Sequence, residues 1–334
     1  HLAALGITKL QDLIGRTDLL KILEGNTPKQ RQLDMTALLD DGGIGDSKPH
    51  YCQVTKNEAF DKGEMAEQMV NDTLDAITHQ RGGEFSYAIN NTNRSIGARI
   101  SGEIAIRYGN NGMKDKPIHL SLTGTAGQSF GVWNAGGLNM TLTGDANDYV
   151  GKGMAGGNLI IRPAANVIFE SHKTTIIGNT CLYGATGGRL FASGLAGERF
   201  AVRNSGAVAV IEGVGDHCCE YMTGGVIAVL GKSGINFAAG MTGGIALVID
   251  EDGQFEQRCN MEFIEVLAMN TDRMDSYRDY FFKLVTEFVE QTNSRRGFDI
   301  LENFSEWQEK LLLVKPKALN LDALLSDIEN TLAA

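Results

Sequence analysis

Apolar and polar positions change their spacing along this chain. From residue 57 to residue 80, apolar side chains recur at steps of three and four, and a Gly-Gly pair follows, which together predict an amphipathic helix. Phe85, Tyr87 and Ile89 then occupy every second position, as in a strand. The chain therefore passes from a helical period to a β period near residue 83.

A glycine-led unit repeats six times after this point. Each unit begins with a glycine, usually followed by a second one, and continues with a run of β-forming residues. The leading glycines stand 20, 31, 19, 18 and 19 residues apart, at Gly136, Gly156, Gly187, Gly206, Gly224 and Gly243. The long step holds an insertion at 163–173, and segments 101–106 and 119–124 are candidates for two further, degenerate units.

This period near 19 residues predicts a β-solenoid, in which successive coils stack at about 4.8 Å. Of the 41 glycines, 31 fall between Gly97 and Gly253. A glycine inside a strand costs about 0.5–1 kcal/mol relative to alanine, so that number at arbitrary positions would cancel the stability of a domain. We therefore expect the glycines at tight corners. Strands 226–230 and 245–249 are apolar on both faces, so we expect other protein to cover their outer face.

The flanking segments are predicted to be helical. Residues 1–45 contain short apolar turns, whereas after Asp250 three longer apolar stripes appear. The first predicts a helix over 271–292 with Gly297 as its stop, and Pro316 separates the other two. The stripes are Tyr277, Phe281, Leu284 and Phe288; Ile300, Leu301, Phe304 and Trp307; and Leu321, Leu324, Leu325 and Ile328. Such amphipathic helices need a surface to cover, and an open end of a solenoid needs a cap.

The net charge and the cysteine content argue against several classes of protein. The net charge is -11 with scattered basic residues, which argues against nucleic acid and anionic membrane surfaces as partners. No apolar run approaches the roughly 20 residues of a membrane span. Five cysteines without a C-x-x-C pair argue against a disulfide framework, a zinc ribbon or a cluster-binding loop, and favour a reducing cytoplasm. His1 lies inside an apolar pattern, which leaves open whether the chain is a fragment or a separate gene product.

The most reactive-looking cluster is the run Asp216-His217-Cys218-Cys219-Glu220. A metal site is disfavoured because adjacent residues of a strand point to opposite faces. A nucleophilic pair of Cys219 and His217 lacks an orienting third group and an oxyanion motif. We expect this segment to be a structural corner.

Other candidates for chemistry are weaker. Gly151-Lys-Gly153 and the following Gly-Gly pair lack the spacing and the helix of a phosphate-binding loop. The carboxylates of a sugar-cleaving β-helix would recur in adjacent coils, which Asp145, Asp148, Glu212 and Asp216 do not show in sequence. Histidines 50, 79, 119 and 172 have no metal-ligand spacing. The residues therefore predict a solenoid with no catalytic, cofactor-binding or metal-binding residue.

Longer motifs carry a family resemblance. Residues 94–103 (RSIGARISGE), 127–131 (GQSFG), 144–157 (GDANDYVGKGMAGG) and 213–225 (GVGDHCCEYMTGG) resemble the C-terminal GXGXG domain of the large subunit of glutamate synthase. The tail is similar as well, at 291–297 and 313–316, and 13–20 resembles the end of the preceding domain. Cys218 stands where the family pattern has a small residue.

This resemblance implies a mainly β fold, a right-handed single-stranded β-helix with flanking α-helices. It implies the tail of an FMN-binding synthase domain at 1–45, the β-helix at 46–255, and a helical cap and tail at 256–334. The parent enzyme makes glutamate from glutamine and 2-oxoglutarate with an amidotransferase domain, FMN and an iron-sulfur cluster, and takes electrons from ferredoxin or an NADPH-dependent small subunit. The β-helix would be its non-catalytic packing element, with the amidotransferase and FMN domains as partners, in the cytoplasm.

Two alternatives remain at the level of sequence. Formylmethanofuran dehydrogenase has a subunit with the same repeat, although the flanking helices and tail motifs of this chain favour glutamate synthase. An independent β-helix enzyme acting on carbohydrate or acyl groups would need a groove with converging ionisable side chains.

Overall fold

The computed structural model describes residues 1–43, 45–57 and 62–321. Two units are distinguished, His1–Asp61 and Lys62–Ala334. The first contains short helices, as predicted: 3₁₀ turns Ala3–Leu5, Leu10–Leu13, Thr17–Leu19 and Gly45–Ser47, and the α-helices α1 (Pro28–Arg31) and α2 (Thr36–Leu39). None of its described residues is buried, and the Leu10 side chain is 72% exposed. The apolar pattern of this unit therefore does not build a core of its own.

The second unit begins with two helices around one strand: α3 (Glu64–Thr78), β1 (Gly83–Ile89) and α4 (Ala98–Tyr108). Helix α3 and strand β1 confirm the predicted change of period, although residues 58–61 of the predicted helix lie outside the described ranges. The prediction of a degenerate β unit at 101–106 is wrong, because this segment belongs to α4. Ile100 and Ile104, one helical turn apart, are buried in the same core as α3.

Parallel strands of successive coils form the body of this unit. They are β2 (Ile118–Ala126), β3 (Leu138–Ala146), β4 (Ala155–Arg162), β5 (Thr175–Ile177), β6 (Gly187–Ala196), β7 (Ser205–Gly213), β8 (Thr223–Val229) and β9 (Gly243–Ile249). Apart from the short β5, which pairs with β3 and β6, the strands follow one another in chain order. The predicted β-helix and its six glycine-led units are thus confirmed, as is the unit at 119–124.

The register stacks like positions of each coil on one another. The chain of strand pairings links Leu122, Leu142, Ile161, Ala192, Ile211, Val229 and Val248 in one column. All seven side chains are buried in the inner core. The insertion at 163–173 ends in a 3₁₀ turn, Ser171–Lys173, and leads into β5. Because the coils contact their neighbours at a nearly constant offset, apart from the insertion, the period in the sequence becomes a column in space.

The chain after β9 covers the outer face of the strands. Its elements are α5 (Phe255–Arg258), β10 (Ile264–Ala268), α6 (Asp275–Thr292), α7 (Arg295–Glu302), α8 (Phe304–Trp307) and β11 (Leu311–Pro316). Phe191 of β6 meets Phe288 of α6 edge to face, with ring centroids 5.9 Å apart. Val226 and Ile245 share one core with Phe281 of α6, so the expected cover over the two-faced apolar strands is present and comes from this chain itself.

Two details of this region differ from the sequence prediction. Gly297 does not stop α6, which ends at Thr292 and is followed by Asn293 in a left-handed conformation. Gly297 lies inside α7, where a Cβ would stand 2.6 Å from Val289 Cγ2. Before Pro316 the chain forms the strand β11, which the sequence did not predict and which pairs antiparallel with both β9 and β10. The third helical stripe, except for Leu321, falls on residues 322–334, outside the described residues. Within the described ranges there is no helix with the length and apolarity needed to span a lipid bilayer.

Candidate functional site

A corner in which every second residue has a left-handed backbone conformation recurs in six coils. In each coil three residues, at every second position, have a left-handed φ between 52° and 69°. They are Ser129, Gly131 and Trp133; Tyr149, Gly151 and Gly153; Thr180, Leu182 and Gly184; Arg199, Ala201 and Arg203; His217, Cys219 and Tyr221; and Asn236, Ala238 and Gly240. Thirteen of these eighteen residues are not glycine, although a left-handed conformation costs most other residues about 1–2 kcal/mol. The left-handed positions of these corners are therefore not reserved for glycine.

Many of the paired glycines lie at or next to the beginning of the strands instead. Gly157 of β4 has a φ of +71°, and a Cβ on it would stand 2.1 Å from the carbonyl oxygen of Leu138 in the preceding coil. Only glycine allows both this conformation and this approach of two backbones.

Backbone hydrogen bonds between coils stabilise the corners. The N–H of Gly151 donates to the Phe130 carbonyl in the coil before, at 2.8 Å, and the N–H of Gly153 donates to the Tyr183 carbonyl in the coil after, at 2.9 Å. The Gly151-Lys-Gly153 segment therefore cannot cradle a phosphate with these N–H groups, because neighbouring coils already use them. The ammonium of Lys152 lies over the rings of Tyr149 and Tyr183.

The Asp216–Glu220 run forms one of these corners. His217 Nδ1 lies 2.9 Å from Glu220 Oε1, and the side-chain amide of Asn236 in the next coil donates to the same oxygen at 2.8 Å. Cys219, in contrast, is fully buried, whereas His217 is partly exposed. The structure therefore pairs His217 with Glu220 instead of with a thiol.

Burial also makes the thiols of this region poor nucleophiles. Desolvation raises the pKa of Cys218 well above its usual range, and it raises the pKa values of Cys181 and Cys259 to about 12. Among the described residues, no three His, Cys, Asp or Glu side chains are grouped as metal ligands. An iron-sulfur cluster needs several cysteine thiolates close together, and the described cysteines form no such group.

The carboxylates are arranged more regularly than their sequence spacing indicates. Asp148, Asn179, Glu198 and Asp216 take the same place in four consecutive coils, since each accepts at its backbone carbonyl from the first left-handed residue of the coil before. The side chain of Asp148 accepts the N–H of Asn179 at 2.7 Å, and that of Asp216 accepts the N–H of Ile235 at 2.8 Å. These two side chains therefore link coils to one another. Asp145 is exposed at the end of β3.

The scattered histidines stay apart from this column. His50 belongs to the first unit, where its Nε2 lies 2.6 Å from the Gly45 carbonyl oxygen. His79 faces Asp75 at the end of α3. His119 and His172 lie on β2 and on the turn of the insertion, respectively.

Glu212 forms a buried polar site that the sequence does not reveal. It lies on the outer face of β7, is 0% exposed, and accepts at Oε1 from the hydroxyls of Ser193 (2.8 Å) and Ser294 (2.5 Å). Ser294 is also the N-cap of α7, where its Oγ accepts the N–H of Gly297 at 2.9 Å. The second oxygen, Glu212 Oε2, is buried without a hydrogen-bond partner among the described residues.

Arginines fasten the covering helices to the coils near this carboxylate. Arg296 of α7 donates through Nε to the Leu230 carbonyl at 2.8 Å, pairs with Glu251, and lies over the Trp307 ring at 4.2 Å. Arg189 of β6 pairs with Glu287 of α6. These charge-assisted contacts, of which Arg296 is the buried partner, link α6 and α7 to the coils.

These features define a class of protein: a parallel β-solenoid with left-handed corner residues in six coils and a helical cover. The family model described as "GXGXG motif" matches residues 64–317, and the chain belongs to this family.

Glutamate synthases are among the similar proteins. The chain is 45% identical to "Ferredoxin-dependent glutamate synthase 2" of Synechocystis over 94% of its length and 43% identical to the chloroplastic ferredoxin-dependent enzyme of Spinacia oleracea over 92%. It is 40% identical to "Glutamate synthase [NADPH] large chain" of Bacillus subtilis over 100% of its length. It covers only 20%, 19% and 22% of these proteins, so the chain spans about a fifth of the relatives that it matches.

Proposed function

We propose that this chain is the β-solenoid region of a glutamate synthase large subunit and that it holds other regions of the subunit in place without reacting itself. The observation that carries the proposal is the similarity to glutamate synthases at 40–45% identity across nearly the whole chain. Because the chain spans about a fifth of those proteins, the chemistry that their names describe is assigned to the other four fifths.

In this proposal the parent enzyme forms glutamate from glutamine and 2-oxoglutarate. Its amidotransferase domain, its FMN and its iron-sulfur cluster belong to regions outside this chain. The buried, protonated thiols of Cys181, Cys218 and Cys259 support that assignment of the cluster. The N–H groups of Gly151 and Gly153 already donate to carbonyls of adjacent coils, so they are not free to bind the phosphate of FMN.

Surface features support a packing role. Trp133 is 66% exposed at a corner, where a Cβ on Gly153 of the next coil would meet its ring at 2.8 Å; Tyr221 stands in the same relation to Gly240. Exposed aromatic side chains held by a stiff backbone are typical of protein interfaces. In the first unit, Leu23 is also exposed. The partners in this proposal are the amidotransferase and FMN domains of the parent chain.

The proposal leaves two electron donors, since the relatives include ferredoxin-dependent and NADPH-dependent enzymes. It places the protein in a reducing cytoplasm, where its five free cysteines stay reduced.

The proposal is tested first with the purified chain. Mixed with FMN, glutamine, 2-oxoglutarate and a reductant, it should show no stoichiometric flavin absorbance and form no glutamate. One flavin bound per chain would contradict a purely structural role. The full-length natural protein, which carries the remaining regions, is the positive control in both assays.

The natural gene provides a second test. Its reading frame should continue upstream of His1 and encode the cysteine nucleophile, the FMN site and the cluster motif. A reading frame that starts near His1 would contradict the proposal and favour a separate β-helix subunit of another redox complex.

A further inference from the structure

A groove of about 380 Å³ lies where the insertion after β4 meets the junction of α6 and α7. Two guanidinium groups line it, Arg162 on the side of the strands and Arg295 on the side of the helices. The described residues that line it include no acidic side chain, in a chain whose net charge is -11. The groove is therefore a local site of positive charge on an acidic protein.

The two arginines differ from their neighbours in their pairing. On the same face, Arg189 pairs with Glu287 and Arg296 with Glu251. Within the described part of the chain, neither Arg162 nor Arg295 has a carboxylate within 4.0 Å. Arg162 donates to the Gln291 carbonyl at 3.2 Å, which holds its guanidinium beside the groove while its charge stays uncompensated.

The polar floor of the groove is fixed by hydrogen bonds. Ser193 and Thr292 line it and are only 2% and 4% exposed. The Ser193 hydroxyl donates to Glu212 and the Thr292 hydroxyl to the Phe288 carbonyl, so both side chains are held in place. Glu212, which accepts the Ser193 hydroxyl, does not line the groove and is itself fully buried.

The remaining wall is apolar and comes from the insertion, where Pro163, Val167 and Phe169 line the groove. A site with cationic ends and an apolar wall suits an anion that has a carbon skeleton. The planar fork of a guanidinium matches the two oxygens of a carboxylate.

We propose that this groove binds a small organic carboxylate, with its carboxylate oxygens accepting hydrogen bonds from Arg162 and Arg295 and its carbon chain against Val167 and Phe169. This inference is independent of the function proposed above, since it rests on the groove alone.

Calorimetric titration of the 334-residue chain with glutarate, at constant ionic strength, tests the proposal. We expect saturable binding at one site, weakened about tenfold or more by Arg162→Gln and by Arg295→Gln, because each removes a charged hydrogen bond. Arg203→Gln, which changes an exposed arginine outside the groove, is the matched control and should leave the affinity unchanged.

A further variant covers the case in which Arg162→Gln disturbs the fold. Ala165→Glu adds a carboxylate at an exposed lining position without touching either arginine, and it should abolish glutarate binding. Unchanged affinity in Arg295→Gln and Ala165→Glu would overturn the proposal, as would the absence of saturable binding to the unmodified chain. Equal binding of inorganic phosphate or chloride would show an adventitious ion only and would also overturn it.

Discussion

The hydroxyl of Ser294 lies 2.5 Å from Glu212 Oε1, although 82 positions separate the two residues in the chain. This contact joins the N-terminus of α7 to β7, a strand in the middle of the solenoid. It makes the helical cover part of the same folded unit as the solenoid, because a buried carboxylate and a helix cap depend on each other.

Replacing Glu212 should therefore destabilise the cover. Glu212→Ala leaves the hydroxyls of Ser193 and Ser294 without their acceptor and should lower the free energy of unfolding by about 2–3 kcal/mol. Glu212→Gln keeps an acceptor oxygen and removes a buried charge, so its cost should stay near 1 kcal/mol. Urea unfolding of the chain measures both. Glu198→Ala, at an exposed carboxylate, is the control; an equal loss there would refute a special role for Glu212.

The close approach of coils at the glycine pairs gives a second prediction. Gly157→Ala should cost more than 3 kcal/mol, or prevent folding, because the added Cβ stands 2.1 Å from the Leu138 carbonyl oxygen. Gly184→Ala is the matched control: its φ is +63° but no atom lies within 4 Å of its Cβ, so only about 1 kcal/mol should be lost. Similar thermal unfolding of the two variants would contradict the argument from backbone contact.

At the left-handed corner positions, a glycine variant should be more stable than an alanine variant, which is the reverse of the usual order in a strand. At Arg199, which is exposed with a φ of +62°, the glycine variant should be more stable than the alanine variant by about 1 kcal/mol. At Ser121, an exposed position of β2, alanine should be better than glycine by about 0.5–1 kcal/mol. Unfolding free energies of the four variants test the reversal, which is refuted if both sites show the same sign.

Thiol reactivity tests the burial of the corners. Cys52 is exposed, whereas Cys181, Cys218 and Cys219 are buried and the pKa of Cys181 is raised to about 12. At pH 8 the Cys181 thiol therefore stays protonated, and all three buried thiols are shielded from the reagent. A thiol reagent should label one cysteine rapidly in the native chain and five in the unfolded chain. Cys52→Ser should remove the rapid phase. Rapid labelling of three or more thiols in the native chain would show that the corners are open.

The sequence pattern predicted the coils, but it did not predict helix α4 or strand β11. Helix α4 was missed because Ile104 and Ile106 also fit an alternating pattern; the turn-to-turn pair of Ile100 and Ile104 was the available signal. Strand β11 was missed because its run of apolar residues at 311–314 has no period of two and lies between helices. Its pairing with β9 is set by tertiary contacts.

The candidate site was likewise predictable from the sequence only in part. The glycine pairs indicate close backbone contact. Nothing in the sequence indicates that Leu182 and Ala201 have a left-handed conformation, because this conformation is unfavourable for both residue types. Those conformations exist because the hydrogen bonds of adjacent coils impose them. Glu212 was noted only as an irregular carboxylate, because its partners Ser193 and Ser294 belong to other elements.

The sequence by itself determined the period of the coil, the inner column of apolar residues and the positions where glycine is required. Each of these depends on contacts between consecutive coils at a nearly constant offset, so it is repeated and legible along the chain. Only the tertiary structure decided which helices cover the outer face, how β11 closes the last coil, and that Arg162 and Arg295 meet across a groove. Those contacts join segments that are far apart in the chain and follow no repeat, so the pattern along the sequence does not indicate them.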